Sequence, residues 1–69
     1  MDKYDLHDVH TANTAAQMLR DRDMIAKSCG TAIITECNFH DDNEVTEFVM
    51  RNHPVKQAMT QSDWRMMQK

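Results

Sequence analysis

Apolar positions in the first half of the chain recur at three- and four-residue steps. Ala15, Met18, Leu19, Arg22, Ile25, Ala26 and Cys29 form one stripe with an arginine in it, while Arg20, Asp21, Asp23 and Lys27 fall off it. That spacing is the mark of an amphipathic helix. Asn13 and Thr14, or Thr11 slightly earlier, are N-cap types. Gly30, the single glycine, stands where a left-handed residue would end the helix. The pattern predicts a helix over 13–29.

The next segment, Thr31 to Asn38, reads two ways. Thr31, Ile33, Ile34 and Thr35 are β-branched and favour a strand. Ile33, Ile34 and Cys37 also fit one helical face. A lone strand leaves its ladder groups unpaired. A strand over 31–37 therefore needs residues 4–10, or a copy of itself from a second subunit, as partner.

Two further helices follow from the pattern. Asp41-Asp42-Asn43-Glu44 reads as a helix start, with Asp41 as cap and acids at the positive end of the dipole. Val45, Phe48, Val49 and Asn52 give that helix a face, so it is predicted over 42–52. Pro54, the single proline, interrupts it and suits the first position of a last helix. Val55, Ala58, Met59, Ser62 and Met66 make the stripe of that helix, over 54–67, with Trp64 and Met67 on a neighbouring face; Ser62-Asp63 is an alternative restart point. The resulting expectation is a mainly α, three-helix domain spanning 1–69. A short strand or extended segment around 31–37 completes it, and residues 1–10 are extended or partly disordered.

A core drawn from 69 residues seldom gives more than about 3–5 kcal/mol of net stability. Chains of this size lean on disulfides, metals or association. Cys29 and Cys37 are too few for a disulfide scaffold, which points to reduced thiols and a cytoplasmic setting. With apolar residues on more than one face of the last two helices, a homo-oligomer, most simply a homodimer, is expected. The longest aliphatic run, Ala32-Ile33-Ile34, is far below the ~20 residues of a membrane helix, so no membrane partner is expected.

The net charge of −3 is unevenly spread. Residues 1–47 carry ten acids and four bases; residues 48–69 carry four bases and one acid. This is below the basic density of a nucleic-acid binder. The acids between 36 and 47 (Glu36, Asp41, Asp42, Glu44, Glu47) are a candidate binding surface.

Candidate chemistry is sparse. Cys29, Cys37 and His40 are a conceivable metal set, with His7, His10 or His53 as fourth ligand, but only Cys37-x2-His40 and His7-x2-His10 have tight ligand spacing. Neither cysteine has an oxyanion hole beside it, and the Asp41-Asp42 and Glu44/Glu47 pairs read as a helix cap and a solvated face. No catalytic residue and no cofactor are assigned. Seven methionines against two leucines are the unusual signal, and methionine favours adaptable binding surfaces. The single tryptophan lies close to it, and tryptophan is enriched at interface hot spots. Trp64, Met66, Met67 and Met50, with Arg65 at the rim, are therefore the expected partner-binding residues.

The function these features favour is a small non-enzymatic protein that binds and modulates a larger protein, as an adaptor or inhibitor. A nucleic-acid-associated regulator acting as a dimer is the first alternative, and a metal-stabilised module using Cys29, Cys37 and His40 the second.

Overall fold

A computed structural model describes residues 1–68. Its elements are β1 (Asp2–Asp5), α1 (Val9–Asp21), β2 (Ala26–Cys29), β3 (Ala32–Thr35), a 3-10 turn (Cys37–Asp41), α2 (Asn43–Arg51), β4 (Val55–Gln57) and α3 (Gln61–Met67). The strands form one antiparallel sheet in the order β2-β3-β1-β4. Half of the residues are helical and 22% are strand, so the expectation of a mainly α, all-α domain is wrong: the fold is α/β. The order β-α-β-β-α-β with this sheet is the split β-α-β, or ferredoxin-like, arrangement, with α3 added. Such a topology hosts many functions and by itself names none.

Two helix ends account for most of the difference. The first helix covers Val9–Asp21 rather than 13–29. It starts at Asp8, whose side chain accepts from the Thr11 backbone N–H at 2.8 Å. It ends in a Schellman motif: Met24 N–H donates to Leu19 O and Asp23 N–H to Arg20 O, with Asp23 at φ 61°. An aspartate thus takes the left-handed position usually given to glycine. α2 ends the same way, with His53 at φ 51° and its N–H on Met50 O. Pro54 follows and cannot donate the second bond of that motif.

Gly30 is freed for another task. Its φ is +60°, left-handed as expected, but it lies in the two-residue turn joining β2 to β3, where Cys29 pairs with Ala32. Glycine at the first central residue is what a type II′ hairpin requires. The stripe members Ala26 and Cys29 therefore belong to a strand. The strand reading of 31–37 holds over Ala32–Thr35, while Cys37 opens the 3-10 turn; its partners are β2 and β1, and β1 covers 2–5 rather than 4–10, since Val9 and His10 already belong to α1.

The third expected helix, 54–67, is two elements. Val55–Gln57 closes the free edge of β1, and α3 begins afresh after Thr60. Pairing of β1's exposed backbone groups outweighs helical spacing here.

The register fixes what each face carries. Ser28, Ile33, Tyr4 and Lys56 form one row across the four strands, and Lys27, Ile34, Lys3 and Gln57 the next. Adjacent rows point to opposite faces. The Ile33 face meets α1 and α2. There Leu6, Ala12, Ala15, Ala16, Leu19, Ala26, Ile33, Phe39, Val45 and Val49 form the core. Alanines along α1 let the helix sit close to the sheet, and Phe39 meets the Tyr4 ring edge-on at 5.7 Å. Arg22 ties the two helices together, donating to Asp42 at 2.7 Å and to Met18 O, with Glu44 at 3.0 Å. The opposite face is covered by α3, and Ile34 is fully buried there.

Candidate interaction surface

α3 is built by a local signal. The Thr60 hydroxyl accepts from the Asp63 N–H at 3.1 Å, and the Asp63 carboxylate accepts from the Thr60 N–H at 2.9 Å. This reciprocal capping box fixes the first turn. The Ser62-Asp63 restart expected from the sequence thus occurs slightly upstream, with Thr60 as the cap and Gln61 as the first helical residue.

Two lysines of the outer row then hold the helix on the sheet. Lys3 Nζ donates to both Asp63 carboxylate oxygens, at 3.1 and 3.3 Å, in an ion pair with little solvent access on either side. Lys27 Nζ donates to Met66 O at 2.6 Å, near the C-terminal end of α3. Lys3 and Lys27 flank Ile34, so α3 crosses the strands along this row. The Thr60 N–H first, and then Lys3, hold the Asp63 carboxyl below its usual value, against the opposing effect of burial.

Mounted this way, α3 turns Trp64 and Arg65 outward, while Met66 and Met67 are half-buried at its flank. Trp64 is 47% exposed. Of the five residues expected to bind a partner, Trp64, Arg65, Met66 and Met67 share this one element. Met50 does not join them: it is exposed on the last turn of α2, in the layer on the other side of the sheet. Lys3, Lys27, Thr60 and Asp63 were not singled out from the sequence. The Thr60-x2-Asp63 spacing was a usable signal for two of them, whereas the lysines are brought together only by strand register.

The other candidate groups are dispersed or already engaged. Cys29 lies at the hairpin end of the sheet and Cys37 beyond the far end of β3, so the set Cys29, Cys37, His40 is not assembled. Among the described residues no group of three or more His, Cys, Asp or Glu side chains is placed to hold a metal ion. His40 stacks on Phe39, with ring centroids 3.9 Å apart. In the acidic segment, Asp42 caps α2 and pairs with Arg22, Glu44 also meets Arg22, and Glu47 pairs with Arg51. Asp2, Cys37, Tyr4 and Lys56 meet near the start of β1. A Cys37 hydrogen bond lowers the Asp2 carboxyl pKa, and burial raises that of the Tyr4 hydroxyl. No cavity opens beside them among the described residues.

Near the opposite end, His7 and His53 both have left-handed backbone, and His7 Nε2 lies 2.8 Å from His53 O. No described helix is long and apolar enough to cross a membrane. Comparison with models of protein families, with curated proteins and with solved structures gives no match to this chain.

Proposed function

We propose that this protein is a non-enzymatic interaction module that binds a larger protein and modulates it, with the outer side of α3 as its docking surface. The observation that carries this reading is the presentation of Trp64. The sole tryptophan stands nearly half exposed on a helix fixed at its first turn by a capping box and near its end by Lys27. A rigid, amphipathic aromatic loses little conformational freedom on binding, which is why tryptophan anchors interfaces. Met66 and Met67 at its flank give adaptable apolar contact, and Arg65 a polar rim.

The nucleic-acid reading has less support. The outer row of the sheet holds no aromatic residue on which a base could stack, and its lysines are engaged by α3. The helical layer, residues 8–23 and 36–52, carries eight acids and three arginines, a poor match for phosphate.

The test compares proteins captured by the wild-type chain with those captured by Trp64→Ala and Met50→Ala, each checked by circular dichroism. A partner held by wild type and Met50→Ala but lost by Trp64→Ala is the expected outcome. A partner retained by Trp64→Ala, or lost only by Met50→Ala, overturns the assignment of α3.

A further inference from the structure

We infer that α3 is an exchangeable segment, and that two copies of this chain form a dimer by each laying its α3 on the sheet of the other.

Three observations carry this inference. First, α3 joins the domain through side chains. Lys3 reaches Asp63, and Lys27 reaches the Met66 carbonyl, while the backbone bonds of α3 stay inside the segment, Trp64 N–H to Thr60 O and Gln68 N–H to Arg65 O. Second, the seat is made by the rest of the chain. Lys3, Ile34 and Lys27 come from β1, β3 and β2, which pair with one another without α3. Third, the segment carries its own cap. Thr60 and Asp63 satisfy each other whichever sheet lies beneath. The hinge between β4 and α3 is Ala58-Met59-Thr60, non-helical, exposed at Ala58 and Thr60, with Thr60 extended at φ −91° and ψ 169°.

An exchanged dimer repeats every contact of the closed chain, so it needs no new complementary surface. Its stability relative to two closed chains is set by the hinge and by protein concentration. Vacating the seat is costly. Ile34 is fully buried, and leaving it bare exposes an isoleucine and two lysines on an open sheet face. The occupant is therefore the chain's own α3 or that of a second copy. Trp64 points outward in either arrangement, so this inference does not depend on the partner-binding role of α3.

The ion pair supplies the test. Lys3→Asp places two carboxylates together in one chain, and Asp63→Lys places two ammonium groups together. Mixed in equal amounts, the two variants restore both opposite-charge pairs only by exchanging α3. The expected result is a heterodimer of twice the monomer mass by sedimentation, absent for either variant alone, with a higher melting temperature than either. The double variant K3D/D63K, which restores the pair within one chain, controls for folding.

A mixture that keeps the masses and melting temperatures of its components, while the double variant folds, overturns the inference. A second measurement uses the wild-type chain. Carbon-13-labelled and unlabelled copies are mixed at high concentration, and isotope-filtered NMR looks for contacts from the labelled Ile34 methyls to α3 of the unlabelled chain. Such contacts support exchange. Their absence in a dimer, or a chain that stays monomeric under these conditions, overturns it.

Discussion

Ile33 and Ile34 are neighbours in β3, both fully buried, and they point to opposite faces of the sheet. Replacing each by alanine removes three carbon groups, about 2.4 kcal/mol of transfer free energy at about 0.8 kcal/mol per group. The remaining cost depends on how well the surroundings collapse into the space, which spreads such substitutions over about 2–5 kcal/mol. Ile33 is packed among Ala12, Ala15, Leu19, Phe39 and Val45 of the main core. These residues belong to α1, the 3-10 turn and α2, which pack on one another and are joined by the Arg22 pairs with Asp42 and Glu44, so the space collapses poorly and Ile33→Ala is expected at the upper end, about 4 kcal/mol. That is comparable with the most that a chain of this length usually supplies, about 3–5 kcal/mol, so much of that variant is expected to be unfolded.

Ile34 lies under α3, which is tethered by side chains and can settle by a small shift. Ile34→Ala is expected at about 2–3 kcal/mol. Urea unfolding followed by far-ultraviolet circular dichroism gives the total cost. Trp64, the only tryptophan, reports on α3 alone by fluorescence. In Ile34→Ala the fluorescence transition should precede the circular dichroism transition. A cost below about 1 kcal/mol, the level of a surface change, or coincident transitions in that variant, would refute the placement of Ile34 beneath a separately tethered helix.

Three further outcomes follow from the same structure. Thr35 is fully buried and its hydroxyl has no hydrogen-bond partner among the described residues, so Thr35→Val should raise stability by about 1 kcal/mol in urea unfolding; a loss would show that the hydroxyl is satisfied. The added Cβ of Gly30→Ala meets no atom of the described residues within 4 Å, and its cost of about 1 kcal/mol comes from φ +60° alone; a neutral result in thermal melting would contradict the left-handed turn. Asp2, Asp5, Asp8, Asp42 and Asp63 are each held below the ordinary value of 3.8 by hydrogen bonds, chiefly from Cys37, His7, Thr11, Val45 and Thr60 in that order. Because the folded values are the lower ones, the stability from these groups is complete above 3.8 and is lost as pH falls through the folded values. The urea midpoint should hold steady from about pH 7 to about pH 5 and fall below about pH 4, and an unchanged midpoint at about pH 3 would count against these bonds.

Much of the chain was legible locally. The helical stripe from Ala15 to Leu19, the start of α2 in the Asp41–Glu44 run, and the strand around 31–37 all appear in the structure. So does a left-handed Gly30. The misreadings share one cause. In the sequence Gly30 and Pro54 carry the marks that end or start helices, but Asp23 and His53 hold the left-handed positions that end α1 and α2. Aspartate adopts that conformation more readily than most residues yet gives no visible stop signal. Once α1 stops at Asp21, Ala26 and Cys29 are free to enter a strand, and their three-residue spacing is incidental. Val55 and Ala58 misled in the same way.

The candidate site divides along the same line. Trp64, Arg65, Met66 and Met67 fall on one element because they are neighbours in sequence, and Thr60-x2-Asp63 caps that element by a contact three residues long. Such features depend on local geometry, which the sequence carries. The pairing of β1 with both β3 and β4, the row that sets Lys3 and Lys27 on either side of Ile34, and the separation of Met50 from Trp64 by the sheet depend on residues up to sixty positions apart. Those choices are made by satisfying backbone groups and burying two faces at once. They belong to the tertiary structure because no short stretch of chain contains both partners of the contacts that decide them.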